Sequence, residues 1–519
     1  MKTLRNNVIV FAMMAMLPLH IFAQKPEKTT CFDEECVSEI LEKMMSPNDS
    51  VAIVAYNTII EMTDEAGMYH DSRMVSALKA SMISFIIEGK NHDENIFLIL
   101  LFPKFCWADD CRDLMKLTEN ELIACDVLRA IGDINGSGRY IENYIKQNHD
   151  NLKYKSALAY GVGKQHISSL EDELITWLKS ADDNTKIEIY NALMVVKSSE
   201  KTTKIIEKGA KKLYKSKISS SKIAGMRLLT TIKGKKALPL LYKALQNNDC
   251  DVRREALELL KPFVNQEVVN TVVQICNTED AVLDIVMWLG EIKNDSQMPL
   301  IIRQLSSNDP QYVEAAIRSV FLIDNAEGIN AVKPMFGGVY QNVIKESMLT
   351  YEGDYRAVLD DVMQGNDQQK LAGLQIVECR PIKELNLRVR ELVFSDNQEI
   401  RDEAYKVLKL VVVPGNMEFL KELINFCKDQ YVEDVQMAMI NALGNASADS
   451  KDSFVLTLKY VRPEIMPRYY KVFAYFGTEL CVDKLIDAYT NGDYKEEARE
   501  ALLLVEDKQF EQKIQEVLK

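Results

Sequence analysis

Residues 249–260 read Asp249-Cys250-Asp251-Val252-Arg253-Arg254-Glu255-Ala256-Leu257-Glu258-Leu259-Leu260. Val252, Ala256, Leu259, Leu260 and Phe263 stand at i, i+4, i+7, i+8 and i+11, the spacing of one helical face. The carboxylate of Asp249 suits a helix N-cap, where a side-chain oxygen accepts from an otherwise unpaired amide. Ala256, small and on the inner face, lets a second helix come close. Asn247-Asn248 mark the turn before it. The same order of turn, cap and small anchor recurs at Ser46–Ile60, Ser307–Val320, Ser395–Leu408 and Asn491–Val505. Weaker copies surround Ala124, Ala157, Ala224, Ala372 and Ala438, so the anchors fall about 31 to 34 residues apart.

The other half of the unit is a helix end, a short turn and a new amphipathic helix. Ala130–Ile145, Trp288–Leu305 and Ala442–Leu458 show it, and Gly132, Gly290 and Gly444 stand where a left-handed C-cap is expected. One such hairpin cannot bury its apolar stripe alone; stacked neighbours can. The D-x-x-V-R-x-x-A-x-x-x-L pattern, clearest at Asp249–Leu260 and Glu399–Leu410, and the L-G-x-I turn resemble HEAT repeats. The short period is similar to the compact phycobilisome-lyase type. The resemblance covers roughly residues 116 to 510. It implies an all-α fold, an open right-handed α-α superhelix of about 13 to 15 hairpins, and a binding role. It carries over no catalytic residue.

Composition agrees. The 519 residues are 47% apolar and 27% charged, which excludes a disordered chain. Gly (21) and Pro (13) are scarce, which favours helices over a turn-rich β architecture. Lys2 and Arg5, an apolar run from Val8 to Leu17, and Ala23 before Gln24 read as a signal peptide over residues 1–23. The expected organisation continues with divergent repeats or a cap over 24–115 and HEAT-like repeats over 116–327. An irregular interruption follows over 328–365, then repeats and a C-terminal cap over 366–519. The protein is expected to be periplasmic or secreted, with no transmembrane segment after cleavage.

Ten cysteines all follow the signal segment. Cys31/Cys36 and Cys106/Cys111 share a C-x4-C spacing that can bridge only across a bend, and an oxidising compartment makes both pairs candidate disulfides. The remaining six read as small buried hydrophobes.

Charge is the sharpest functional signal. The chain carries a net −14, yet residues 197–236 hold thirteen Lys/Arg and only Glu200 and Glu207. Lys201, Lys204, Lys208, Lys211, Lys212 and Lys215 recur at helical spacing, with Ile205, Ile206 and Leu213 opposite; Lys217, Lys235 and Lys236 lie in the loops that follow. A row of ammonium groups on a rigid helix attracts polyanions. Such a run also serves as a plain solvated face. The acidic remainder argues against nucleic acid.

Chemistry-bearing motifs are missing. No H-E-x-x-H, G-x-S-x-G or C-x2-C occurs, and no catalytic residue, metal ligand or cofactor is expected. Trp177 and Trp288 read as core. The function expected is a non-catalytic scaffold docking a protein partner or anionic glycan. Two alternatives stand beside it. One is a polysaccharide-acting enzyme of α/α-toroid type; the other is an envelope assembly factor or chaperone, which needs exposed apolar residues along a helical groove.

Overall fold

The computed structural model describes residues 33–69, 71–89, 91–149, 152–276 and 279–519. The signal segment and Cys31 lie outside them. Among the described residues every regular element is an α- or 3-10 helix and none is a strand, as the sequence requires. The chain divides into two compact units, one ending at Asn265 and one spanning Gln266–Lys519.

Each unit is built from helical hairpins. In the second unit, helices Glu279–Glu291, Pro310–Ile323, Gln341–Thr350, Asp367–Cys379, Gln398–Val411, Val432–Leu443, Pro467–Phe476 and Lys495–Leu502 stack side by side. Shorter helices such as Met298–Gln304, Asn386–Leu392 and Met417–Phe426 flank this layer. In the first unit, Ala124–Asp133, Lys155–Lys164, Asp183–Val196, Ser219–Lys233 and Cys250–Leu260 stack likewise, with Glu171–Trp177 and Glu200–Tyr214 among the flanking helices. The anchors Ala124, Ala157, Ala256, Ala372, Ala404 and Ala438 are all buried in these stacks.

The turn that opens each repeat is built the same way several times. At the best copy, the Asn247 side chain accepts from Asp249 N–H (3.0 Å), and the Asp249 side chain accepts from Asp251 N–H (2.9 Å). Ser307/Asp309/Gln311 and Ser395/Asn397/Glu399 repeat both bonds. Arg253 reaches back to the Asn247 and Asn248 carbonyls (3.0 and 3.1 Å), and Arg401 reaches the Ser395 carbonyl (2.6 Å) at the same offset. The motif arginine therefore ties these two helices to the turns before them.

The glycines work differently from the expectation. Gly132, Gly290 and Gly444 are not left-handed; the positive-φ glycines are Gly89, Gly136, Gly234, Gly337 and Gly477. Gly132 and Gly290 are contact points between stacked helices. A methyl on Gly132 would lie 2.9 Å from Gly161 Cα, and one on Gly290 2.7 Å from Ser319 Oγ. Lack of a side chain, rather than backbone freedom, is what these positions need.

Residues 328–365 are also more regular than their composition suggests. Pro334 sits in a single 3-10 turn, Lys333–Met335, Gly337 has a left-handed backbone (φ 76°), and helices Gln341–Thr350 and Tyr355–Val362 follow. The division between the two units falls at Asn265/Gln266. Among the described residues the N-terminal region holds the longest helices, Asp49–Tyr69 and Ser72–Glu88; Met74, Leu78, Met82 and Phe85 are buried along the latter. Trp177 and Trp288 are core residues.

Of the two expected bridges, Cys36 is disulfide-bonded. Cys106 and Cys111 are not bridged; both are buried free thiols. Cys106 is the extended residue closing helix His92–Phe105, whereas Cys111 starts the next helix and turns its Sγ toward the Trp107 carbonyl, 3.7 Å away. No helix among the described residues is long and apolar enough to cross a membrane.

Candidate functional site

The Lys-rich helix spans Glu200–Tyr214. Ser199 caps it, its hydroxyl accepting from Thr202 N–H at 3.2 Å. Thr202, Ile206, Gly209, Ala210 and Leu213 are its buried residues. At about 100° per residue these occupy one half of the helix. Lys201, Lys204, Lys208, Lys212 and Lys215 fall within about 80° of arc on the other half, and Lys211 flanks them. All six are exposed, as are Lys217, Lys235 and Lys236. With a rise of about 1.5 Å per residue, Lys201 to Lys215 span about 21 Å. Lys217 continues the row past the helix end. Lys235 and Lys236 lie beyond the far end of the next helix, in the turn Gly234–Ala237.

Few of these charges are neutralised. Glu207 pairs with Lys211 (2.8 Å) and Lys233 (3.2 Å), and Arg227 pairs with Glu255. The Lys211 and Lys233 partners together hold the Glu207 carboxyl below its usual range. Lys201, Lys204, Lys208, Lys212 and Lys215 have no carboxylate within ion-pair distance among the described residues.

Two buried groups set the height and direction of this ridge. Glu171, on the preceding flanking helix, accepts from Ser198 N–H (2.9 Å) and the Ser198 hydroxyl (2.6 Å) with Oε2, and from the Thr202 hydroxyl with Oε1. These bonds, led by the Ser198 hydroxyl, lower the Glu171 pKa. They hold the first turn of the Lys helix against its neighbour. Gly225, on the following helix, supplies the second constraint. A methyl there would lie 2.6 Å from the Ala210 carbonyl oxygen and against Tyr214 N. The Lys helix is thus seated backbone-to-backbone, and lysines dominate its outer face, with the exposed Glu200 and the half-buried Ile205 at its margins. Sequence reasoning missed Glu171; the available signal was Thr202, a polar residue on the inward face one repeat away.

A second surface lies in the Gln266–Lys519 unit. Phe394, Phe419 and Phe426 wall a pocket of about 450 Å³, and the stacked rings of Tyr405 and Tyr431 (centroids 4.0 Å apart) line it as well. Burial raises the Tyr405 phenol to about 12. Phe394 and Phe426 are 66% and 82% exposed, and Tyr460 is 84% exposed. Their spacing of 32 and 34 residues matches the repeat, so aromatic side chains recur at or just past helix ends in successive hairpins.

No family model matches the chain, and no curated protein matches it. Among solved structures it is similar to yeast importin-β (Kap95p), with 9% identity and a TM-score of 0.37 over 93% of this chain and 74% of that one. It is also similar to Kap121p, with 12% identity and a TM-score of 0.33 over 93% of this chain and 54% of that one. At these scores the likeness adds nothing to what the hairpins themselves show.

Proposed function

We propose that the chain is a non-catalytic binding scaffold of the bacterial envelope, built of short phycobilisome-lyase-type HEAT-like repeats. Its Lys helix docks an anionic partner, either the acidic face of a protein or an anionic polymer such as an acidic glycan. The observation that supports this is the row of five ammonium groups, about 21 Å long, without carboxylate partners. Like charges three and four residues apart on a helix repel one another. A polyanion laid along the row relieves that repulsion and releases its own counterions, so binding weakens steeply with salt. The signal-like segment over residues 1–23 supports export, and the short, capped hairpin turns support a docking surface rather than a loop-built catalytic centre.

The test uses the full chain and heparin as the polyanion probe. Lys204, Lys208, Lys212 and Lys215 are changed together to Glu. The reading expects salt-dependent retention of the wild type and none for the variant, with helicity unchanged. Equal retention of both proteins overturns it.

A further inference from the structure

The Gln266–Lys519 unit holds a second docking surface of opposite charge, on its stacked layer. Helices Glu279–Glu291, Pro310–Ile323 and Gln341–Thr350 are pressed together by small residues. Gly290 faces Ser319, whose hydroxyl donates to the Val286 carbonyl at 2.8 Å, and Ala315 and Ser347 are buried nearby. Short side chains leave a depression above them. Two adjoining hollows of about 380 and 330 Å³ share Arg318 and Leu322. Leu283, Met287 and Leu322 give the first an apolar wall, and Met287 and Leu322 are each 45% exposed. An exposed Met beside Leu is an adaptable contact surface.

The rim is acidic. Glu291 and Glu314 line the first hollow and Glu346 the second. The one cation lining either hollow, Arg318, is already paired with Glu346 at 2.9 Å. Residues 281–352 as a whole carry nine Asp/Glu against five Lys/Arg, a net −4. An apolar trough with an unneutralised carboxylate at Glu314 complements a ligand that is apolar on one side and cationic on the other. We propose that this trough takes a basic amphipathic segment of a partner protein. Its aliphatic or aromatic side chains sit against Met287 and Leu322, and its Lys or Arg side chains reach Glu314. A trough across stacked helices suits a helix laid in a groove.

This site is independent of the Lys helix, and the experiment keeps the two apart. The full chain is titrated with three labelled peptides by fluorescence anisotropy: a Leu/Lys amphipathic helix, the same peptide with Glu for Lys, and the same with Ser for Leu. Only the Leu/Lys peptide is expected to bind. Leu322→Ser and, separately, Glu314→Lys are each expected to weaken it at least tenfold, with heparin retention unchanged. Because the whole chain is acidic, Glu496→Lys/Glu497→Lys on a distant helix is the control and should leave the affinity within twofold. Equal weakening by the control and the trough variants overturns the proposal, as does tight binding of the Ser-containing peptide. Loss of heparin retention in Lys204→Glu/Lys208→Glu, with peptide binding intact, would separate the two surfaces.

Discussion

Gly225→Ala sets two physical effects against each other, and the structure decides between them. In a helix interior, Ala is favoured over Gly by about 1 kcal/mol. If Gly225 were merely a helical residue, the substitution would stabilise the protein. The position is instead a backbone contact: the new methyl would lie 2.6 Å from the Ala210 carbonyl oxygen and against Tyr214 N. Neither atom can swing away, so helices Glu200–Tyr214 and Ser219–Lys233 must separate. Overpacking of a tight interior costs about 1–3 kcal/mol, and a clash with backbone belongs at the upper end. The net is about 2 kcal/mol of destabilisation. For a unit of this size that is a fall of about 4–8 °C in Tm. Calorimetry of the full chain reads it, with Gly415→Ala as control, since a methyl at Gly415 meets open space. The control should stay within about 0.5 kcal/mol of wild type. A Gly225→Ala protein as stable as wild type, or more so, would refute the reading of close helix contact.

Other outcomes follow from the same geometry. Glu171→Gln should destabilise the first unit by about 1–3 kcal/mol, because the amide cannot accept all three bonds that the carboxylate accepts. The sign of the pH effect is set by the depressed pKa of Glu171: its contribution is present above the unfolded carboxyl value of about 4.3 and is lost as pH falls through the lower folded value. Acid melts of wild type and variant should therefore converge at low pH; a constant gap would contradict the assignment. Arg253→Ala should cost about 1.5–3 kcal/mol, read by urea unfolding, since it removes a charged donor from the carbonyls of its repeat turn, and Arg401→Ala should shift the midpoint in the same direction by less. Alkylation of the folded protein should modify the exposed thiols Cys250 and Cys379 first and spare Cys106 and Cys111, where burial raises the pKa, for Cys111 to about 12. Rapid labelling of Cys111 would show that its helix is not packed as described.

The repeat was legible because it is written in local chemistry. Asp249, Asn397 and Asp309 cap helices in the structure as their positions demand, and the alanine anchors lie buried where helices meet. The Lys helix was legible for the same reason, since its apolar and cationic residues segregate by angle. What stayed hidden depends on partners one repeat away. Gly132 and Gly290 carry the signature of a helix end, yet their role is set by Gly161 and Ser319 on the next stacked helix. Glu171 gains its meaning only through Ser198 and Thr202. The trough at Leu322 arises from what short side chains leave open, which no single segment records. Spacing allowed Cys106 and Cys111 to bridge, but the turn between them aims the Cys111 sulfur elsewhere.

Hydrogen exchange of the full chain with and without heparin tests the central claim most directly. The account predicts slowed exchange in peptides covering residues 199–217, with little change across the Gln266–Lys519 unit. Protection confined to other helices, with residues 199–217 exchanging as before, would contradict it.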